Sequence, residues 1–164
     1  MKRLGLLRHF KAGDAPPGGE DFDRKLTARG QRDGATLAEF VQTHGIGADL
    51  VLCSASRRTR ESLAAILTAL APKRVEIDEA LYLASAEQIL ARLRALPDEI
   101  AAVMVIGHNP GIGALARQLA GAGAIGERFP KGALAALALD RPRWRDLKPR
   151  ACALLHFECP KRSD

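Results

Sequence analysis

Apolar residues fall along this chain in short unbroken runs, separated by longer stretches in which they recur every three or four positions. Leu4-Gly5-Leu6-Leu7 ends abruptly at Arg8-His9, and Leu50-Val51-Leu52-Cys53-Ser54 leads into Arg57 and Arg58. Val103-Met104-Val105-Ile106 closes the same way, on Gly107-His108. Runs this short and this apolar predict strands buried on both faces. Arg74-Val75-Glu76-Ile77 is a weaker strand, expected nearer the sheet edge, and Ala133 to Leu139 and Cys152 to Phe157 give two more.

The stretches between these runs carry helical signals. Thr27 is placed to cap a helix whose buried side holds Leu37, Phe40 and Val41 and whose stop is Gly45. Gly30 and Gly34 weaken its first turns. Leu63, Ile66, Leu67 and Leu70 stand at i, i+3, i+4 and i+7, one apolar stripe on a helix from about Ser56 to Leu70 that Pro72 ends. Ser85 and Gln88 form a capping box ahead of Ile89, Leu90, Leu93 and Leu96, with Pro97 closing that helix. Asn109-Pro110 starts a further helix, with proline at its first position, and Gly121 and Gly123 break it.

Strand-helix alternation at this spacing predicts a three-layer α/β/α sandwich around a mostly parallel sheet of about six strands. The two late strands are joined by too short a link for a parallel crossover, so one of them is expected to run antiparallel. At 164 residues, with no linker, repeat or low-complexity segment, residues 1–164 read as a single domain.

Composition narrows the partners. Lysine and arginine exceed the acids by six, which suits an anionic ligand. Aromatic residues make up only 4 % of the chain and interleave with no basic run, so a nucleic-acid stacking platform is not expected. Arg141, Arg143, Arg145, Lys148 and Arg150, around the only tryptophan, Trp144, read as a solvated turn. The apolar run behind Met1-Lys2-Arg3 is too short for a signal peptide, and no stretch approaches a membrane span, so no membrane partner is expected. Three cysteines without C-x-x-C spacing indicate neither a disulfide framework nor zinc, and the chain reads as cytoplasmic.

The chemistry gathers at the strand ends. Ligands of open α/β sheets bind beyond the carboxyl ends of the strands, and there the sequence delivers Arg8, His9, Arg57, Arg58 and His108. A neutral imidazole is a competent nucleophile toward phosphorus, and a guanidinium matches two phosphoryl oxygens at once. Ser54 to Thr59 opens a helix, whose N-terminus attracts anions. A metal is not expected, because the arginines would repel it, and no other cofactor is indicated. A cysteine-phosphatase loop, C-x5-R, fails by one position, since Thr59 stands where the arginine must be. No phosphate-binding G-x-x-x-x-G-K-[ST] or dinucleotide G-x-G-x-x-G occurs at the strands. His44 and His156 lack comparable context and read as structural.

Leu7-Arg8-His9, Arg24-Lys25-Leu26-Thr27-Ala28-Arg29-Gly30, Cys53-Ser54-Ala55-Ser56-Arg57-Arg58-Thr59 and Val105-Ile106-Gly107-His108-Asn109-Pro110-Gly111 together resemble the histidine phosphatase superfamily, and more closely its SixA-type phosphohistidine phosphatases. The resemblance covers nearly the whole chain. It implies that His9 is the nucleophile and becomes transiently phosphorylated, while Arg8, Arg58 and His108 hold the phosphoryl oxygens. The family's Ser-x-x-x-Arg spacing from Ser54 points to Arg58 rather than Arg57. The implied partner is a phosphorylated protein, such as a phosphorelay histidine domain, or a small phosphorylated substrate.

Two departures stand out. Phe10 replaces the small residue that commonly follows the Arg-His pair, a change expected to narrow the pocket. Arg24 and Lys25 both stand beside the Leu-Thr pair, either of them able to reach substrate. The sequence does not single out a general acid: Glu79, after the third strand, is one candidate, and a loop carboxylate among Asp14, Glu20, Asp21 and Asp23 is the other, although these four more often read as solvated loop acids. A general phosphomonoesterase and a non-catalytic phospho-ligand binding domain are the alternative functions.

Overall fold

The computed structural model describes residues 1–161. Six strands, β1 (Lys2–Arg8), β2 (Leu50–Ser54), β3 (Arg74–Asp78), β4 (Ala102–Gly107), β5 (Leu134–Leu139) and β6 (Cys152–Glu158), form one sheet in the order β3-β2-β4-β1-β5-β6. The pairings of β3 with β2, β2 with β4 and β4 with β1 are parallel. Only β5 is reversed, lying antiparallel to both β1 and β6. The weak strand β3 is indeed at an edge, and the reversed strand is the first of the late pair.

Helices α1 (Ala28–Thr43) and α2 (Arg57–Leu70) lie on one face of the sheet. On the other lie α3 (Ala86–Arg94), α4 (Gly111–Ala120) and the short α5 (Ala122–Ile125). Strand periodicity explains how one sheet serves two cores. Leu4, Leu6, Leu50, Leu52, Val103 and Val105 face α3 and α4. The alternate residues Leu7, Val51, Cys53, Met104 and Ile106 face α1 and α2. With both faces covered, the strands carry unbroken apolar runs.

The caps follow the residue chemistry. Thr27 accepts a hydrogen bond from the Gly30 amide, Ser56 from Thr59, and Ser85 with Gln88 makes the reciprocal capping box.

The packing corrects or extends five local expectations. Gly30 and Gly34 are packing positions in α1 rather than mere weak points. A Cβ on Gly30 would sit 2.2 Å from the Lys11 carbonyl oxygen, and one on Gly34 would meet Ala65 at 2.7 Å. Leu67 is 40 % exposed, so the stripe of α2 is narrower than its spacing suggests. Pro110 precedes the first turn of α4 as its N-cap, and the Asn109 carboxamide oxygen accepts from the Gly113 amide. Gly121 ends α4 with φ of 91°, whereas Gly123 lies within α5. Trp144 is fully buried, its indole donating to the Ile100 carbonyl at 2.8 Å, while the arginines around it are exposed. The polar segment is therefore anchored to the core through its one aromatic residue.

Candidate active site

The parallel strands β1, β2 and β4 end side by side, and their carboxyl ends carry the site. The backbone around His9 is held from both flanks. Its amide donates to the Gly107 carbonyl at the end of β4. On the other side the Gly132 amide, just ahead of β5, donates to the carbonyls of Arg8 and His9 at 3.1 and 2.9 Å. Phe10 extends this anchoring. Its amide donates to Ser62 Oγ at 3.0 Å, and Ser62 donates to the Arg58 carbonyl at 2.7 Å, tying the segment to α2.

The Phe10 side chain is fully buried in the α1/α2 core beside Leu7, Leu26 and Leu37. It lies away from the ligand edge and does not narrow the pocket.

His9 and His108 are 5 % and 3 % exposed, with ring centroids 5.4 Å apart. His9 Nδ1 lies 2.7 Å from the Phe10 carbonyl oxygen. A carbonyl can only accept, so Nδ1 carries the proton and Nε2 is left with a lone pair. Arg58 Nε donates toward that Nε2 at 3.3 Å. Arg58 Nη2 lies 3.4 Å from His108 Nδ1, and His108 Nε2 lies 2.8 Å from Ser54 Oγ. With Nδ1 accepting from the guanidinium, Nε2 of His108 is the protonated nitrogen and donates to Ser54.

Burial is the main reason that both rings resist protonation, and the neighbouring cations add to it. The pKa of His9 falls to about 3, the Phe10 carbonyl only partly opposing the effect of burial, with His108, Arg58 and Arg8 contributing. That of His108 falls to about 4, through burial and then Arg58. Arg8 donates from Nη1 to the Phe129 carbonyl at 3.1 Å, while its buried Nε has no hydrogen-bond partner. A buried guanidinium nitrogen without an acceptor is costly unless a ligand supplies one.

Arg58 and Arg57 are separated clearly. Arg58 is 3 % exposed and turned inward, whereas exposed Arg57 pairs with Glu61 on the surface at 2.9 Å. Arg24 is half-buried, its Nε donating to the Gly13 carbonyl at 2.7 Å, and it lies with Arg8 and Lys11 near Lys131, whose pKa is lowered first by burial and then by these cations. Lys25 is exposed and lies toward Glu61. Of that pair, Arg24 borders the site.

Glu79 is exposed on the 3-10 turn that follows β3. The carboxylate that reaches the cluster is Asp21, from the loop between β1 and α1. Arg58 donates from Nη1 to the Asp21 carbonyl at 2.8 Å and from Nη2 to Oδ2 at 3.0 Å. Tyr82 donates its hydroxyl to the same Oδ2. That phenol, the Arg24 and Arg58 guanidinium groups hold the carboxyl at a pKa of about 2, against the opposing effect of burial.

Asp21 is thus no solvated loop acid, and Tyr82, Ser62 and the Phe129 carbonyl are site groups that the sequence reading missed. The chain's only tyrosine, three residues past the candidate acid, was the available signal for Tyr82.

Cys53 is fully buried and burial pushes its thiol up to about 12, which removes it as a nucleophile. No group of three or more His, Cys, Asp or Glu side chains among the described residues could hold a metal ion.

Comparison with known proteins agrees with this geometry. Residues 6–82 match the model of the histidine phosphatase superfamily, branch 1. The structure of SixA from Nakamurella multipartitia is 31 % identical and superposes with a TM-score of 0.85, covering 97 % of this chain and 96 % of that one. This chain belongs to the histidine phosphatase superfamily. A SixA from Agrobacterium tumefaciens superposes at a TM-score of 0.84 with 29 % identity, covering 97 % of this chain and 98 % of that one. A protein histidine phosphatase SixA complexed with tungstate matches at 0.78 and 25 %, over 94 % and 95 % of the two chains. Among curated relatives, an uncharacterized protein of Mycobacterium tuberculosis is 32 % identical over 164 residues, covering 94 % of this chain and all of the relative.

Proposed function

We propose that this chain is a metal-independent, cytoplasmic phosphohistidine phosphatase that acts through a covalent phosphohistidine on His9. The observation that carries the reading is the His9 tautomer. Its proton is fixed on Nδ1 by the Phe10 carbonyl, so Nε2 presents a lone pair toward the Arg58 guanidinium, with His108 and Arg8 near enough to act on the ring. With its pKa at about 3, the ring is unprotonated throughout the neutral range. A neutral nucleophile surrounded by fixed positive charge suits phosphoryl transfer, where the work is positioning and charge neutralisation.

In the first half-reaction Nε2 of His9 attacks phosphorus as the substrate bond to phosphorus breaks. Nδ1–H, already bonded to the Phe10 oxygen, stabilises the cationic phosphoimidazolium. Arg8, with its unpartnered Nε, and Arg58 supply the groups that bind phosphoryl oxygens, and His108 orients the Arg58 guanidinium by accepting from it at Nδ1. Ser54 keeps His108 in its tautomer, and Arg24 adds charge at the rim. In the second half-reaction water attacks phosphorus, inorganic phosphate departs and the electron pair of the P–N bond returns to His9 Nε2. Tungstate, an oxyanion of phosphate's shape, is bound in one SixA structure, which supports the same assignment for this pocket.

The expected substrate is a phosphohistidine on a protein, of the kind carried by a phosphorelay domain. The carboxylate of Asp21 is held ionised by Tyr82, Arg24 and Arg58 and is a poor proton donor to a departing alkoxide, which an ordinary alkyl phosphate requires. The exposed Glu79 remains the alternative acid, tested by Glu79→Gln.

The experiment compares kcat/KM for a phosphohistidine peptide, a phosphoserine peptide and a sugar phosphate, all in chelator. The phosphohistidine peptide should lead. His9→Ala should lose about 10⁴–10⁶ in rate, and quenching wild-type enzyme without acid should trap an acid-labile, base-stable phosphoryl group on His9. Equal turnover of all three substrates identifies a general phosphomonoesterase, and binding without turnover a phospho-ligand module. Substantial activity in His9→Ala transfers the nucleophile to His108.

A further inference from the structure

The loop segment Asp21-Phe22 and the residue Tyr82 come from opposite sides of the mouth and meet over the catalytic cluster. Tyr82 stands edge-on to His108, with centroids 5.4 Å apart and planes at 87°. Phe22 stands edge-on to Tyr82 at 5.1 Å and 80°. The Arg58 guanidinium lies 5.9 Å from the Tyr82 ring centroid. Both aromatic residues are half-buried, so they form a rigid wall that is still accessible from solvent.

The Asp21 carboxylate is fixed against this wall. Oδ1 accepts from Arg24 Nη1 at 3.1 Å, and Oδ2 accepts from Arg58 and from Tyr82. A carboxylate offers about four acceptor sites, so roughly one remains open, on Oδ1. The side chain is 46 % exposed, which leaves that site within reach of a substrate.

We infer that Asp21, backed by the rings of Phe22 and Tyr82, forms the subsite for the departing imidazole of a phosphohistidine substrate. The inference rests on the phosphatase reading above and adds how the site selects a phosphoramidate. A phosphorylated imidazole bears phosphorus on one nitrogen, and the other takes its proton from solvent. Asp21 accepts a hydrogen bond from that N–H and so favours the cationic ring, the better leaving group. His9 Nε2 then forms its bond to phosphorus, and the substrate P–N bond breaks with its electron pair moving onto the departing nitrogen. Neutral imidazole leaves, still carrying the N–H that faced Asp21. No proton is delivered by the enzyme.

The two rings are treated alike. Each carries its N–H against a fixed oxygen, the Phe10 carbonyl for His9 and the Asp21 carboxylate for the substrate. A serine or sugar phosphate gains nothing from this arrangement. Its departing alkoxide needs a proton, and a carboxylate held by two arginines does not give one. The flat aromatic wall likewise fits a planar leaving group better than an alkyl one.

The test compares wild type, Asp21→Asn and Tyr82→Phe on a phosphohistidine peptide and on 4-nitrophenyl phosphate, whose leaving group is not an imidazole. Asp21→Asn should lower kcat/KM for the phosphohistidine peptide about 10–100-fold more than for the aryl phosphate, the scale of one charge-assisted hydrogen bond. Tyr82→Phe keeps the ring but removes one anchor of Asp21, and should shift the same ratio in the same direction by a smaller factor.

A pH profile supplies an independent readout. The groups facing Asp21 are Arg24, Arg58, Tyr82 and His108. By holding the proton on the substrate ring, Asp21 raises the pH at which kcat for the phosphohistidine peptide declines, so Asp21→Asn should move that alkaline limb downward. Thermal melts establish that each variant is folded.

An equal loss on both substrates would overturn the inference and leave Asp21 as a positioning residue for Arg58. A gain on both would also overturn it, by showing that the carboxylate competes with phosphate for that arginine. Wild-type enzyme without preference for the phosphohistidine peptide would instead remove the phosphohistidine reading beneath it and leave a general phosphomonoesterase.

Discussion

Acidification should destabilise this protein through His9 and His108, the two buried histidines at the strand ends. An unfolded histidine has a pKa of about 6.5, whereas burial holds folded His9 at about 3 and His108 at about 4, with Arg58 and Arg8 adding to the effect. Both folded values are depressed, so above pH 6.5 neither state binds the proton and the rings cost nothing. Below pH 6.5 the unfolded chain takes up a proton at each ring that the folded protein refuses, and stability falls with pH. By pH 5 the unfolded ring is about thirtyfold in favour of its charged form while the folded rings remain neutral. That corresponds to about 2 kcal/mol for each histidine and about 4 kcal/mol for the pair. Asp21, held at about 2, does not offset this, because its contribution is lost only at lower pH. Urea unfolding of wild type at pH 7.5 and pH 5.0 measures the difference directly. The same pair of measurements on a His9→Asn/His108→Asn double variant should show most of that pH dependence gone, whatever the variant's absolute stability. A wild type equally stable at both values, or a double variant with an undiminished drop, would refute the reasoning.

Arg58→Ala should reduce kcat by about 10²–10³, the usual scale for one preorganised charge, while Arg57→Ala, which breaks only the surface pair with Glu61, should change it by less than about threefold. Steady-state kinetics on an aryl phosphate decide this, and equal losses would show that the inward guanidinium is misassigned. Gly30→Ala should destabilise the fold by about 1–3 kcal/mol, although helix propensity alone would stabilise it by about 1 kcal/mol. The reason is the Lys11 carbonyl, 2.2 Å from the added Cβ, and the sign of the shift in urea midpoint is the check.

The strands and the residues at their ends were legible because short apolar runs and the change to Arg-His or Gly-His are local signals. Arg8, His9, Ser54, Arg58 and His108 converge for that reason. Asp21 and Tyr82 were not legible as partners, since their contact joins positions 61 apart in sequence. Asp21 is brought in by a loop whose base is closed by bonds from Gly13 to Lys25 and from Thr27 to Lys11. Nothing in the composition of Gly, Pro and Asp between residues 12 and 25 fixes that path. Trp144 was obscured by its charged neighbours, which occupy the solvent side of a segment whose inner side is the indole. The glycines of α1 looked like weak helix positions because propensity is a property of one helix, and their reason lies in the chain packed against it.

Phe10 joins the chemistry to the body of the protein. Its backbone carbonyl sets the proton of His9, while its ring would touch a Cβ on Gly34 at 3.2 Å and one on Gly132 at 2.9 Å. Gly132 has φ of 81° and is constrained by its backbone as well. Positions 10 and 34 therefore share one volume, and in evolutionary terms they should drift together. A lineage with a small residue after its Arg-His pair loses one of the two contacts that hold position 34 to glycine and can enlarge it only by also moving Ala65, 2.7 Å from the added Cβ, whereas a lineage that keeps the phenylalanine is held there twice over. The residue beside His9 then follows the history of the core, and a change there can mark repacking under a helix with no change in the strand-end cluster itself.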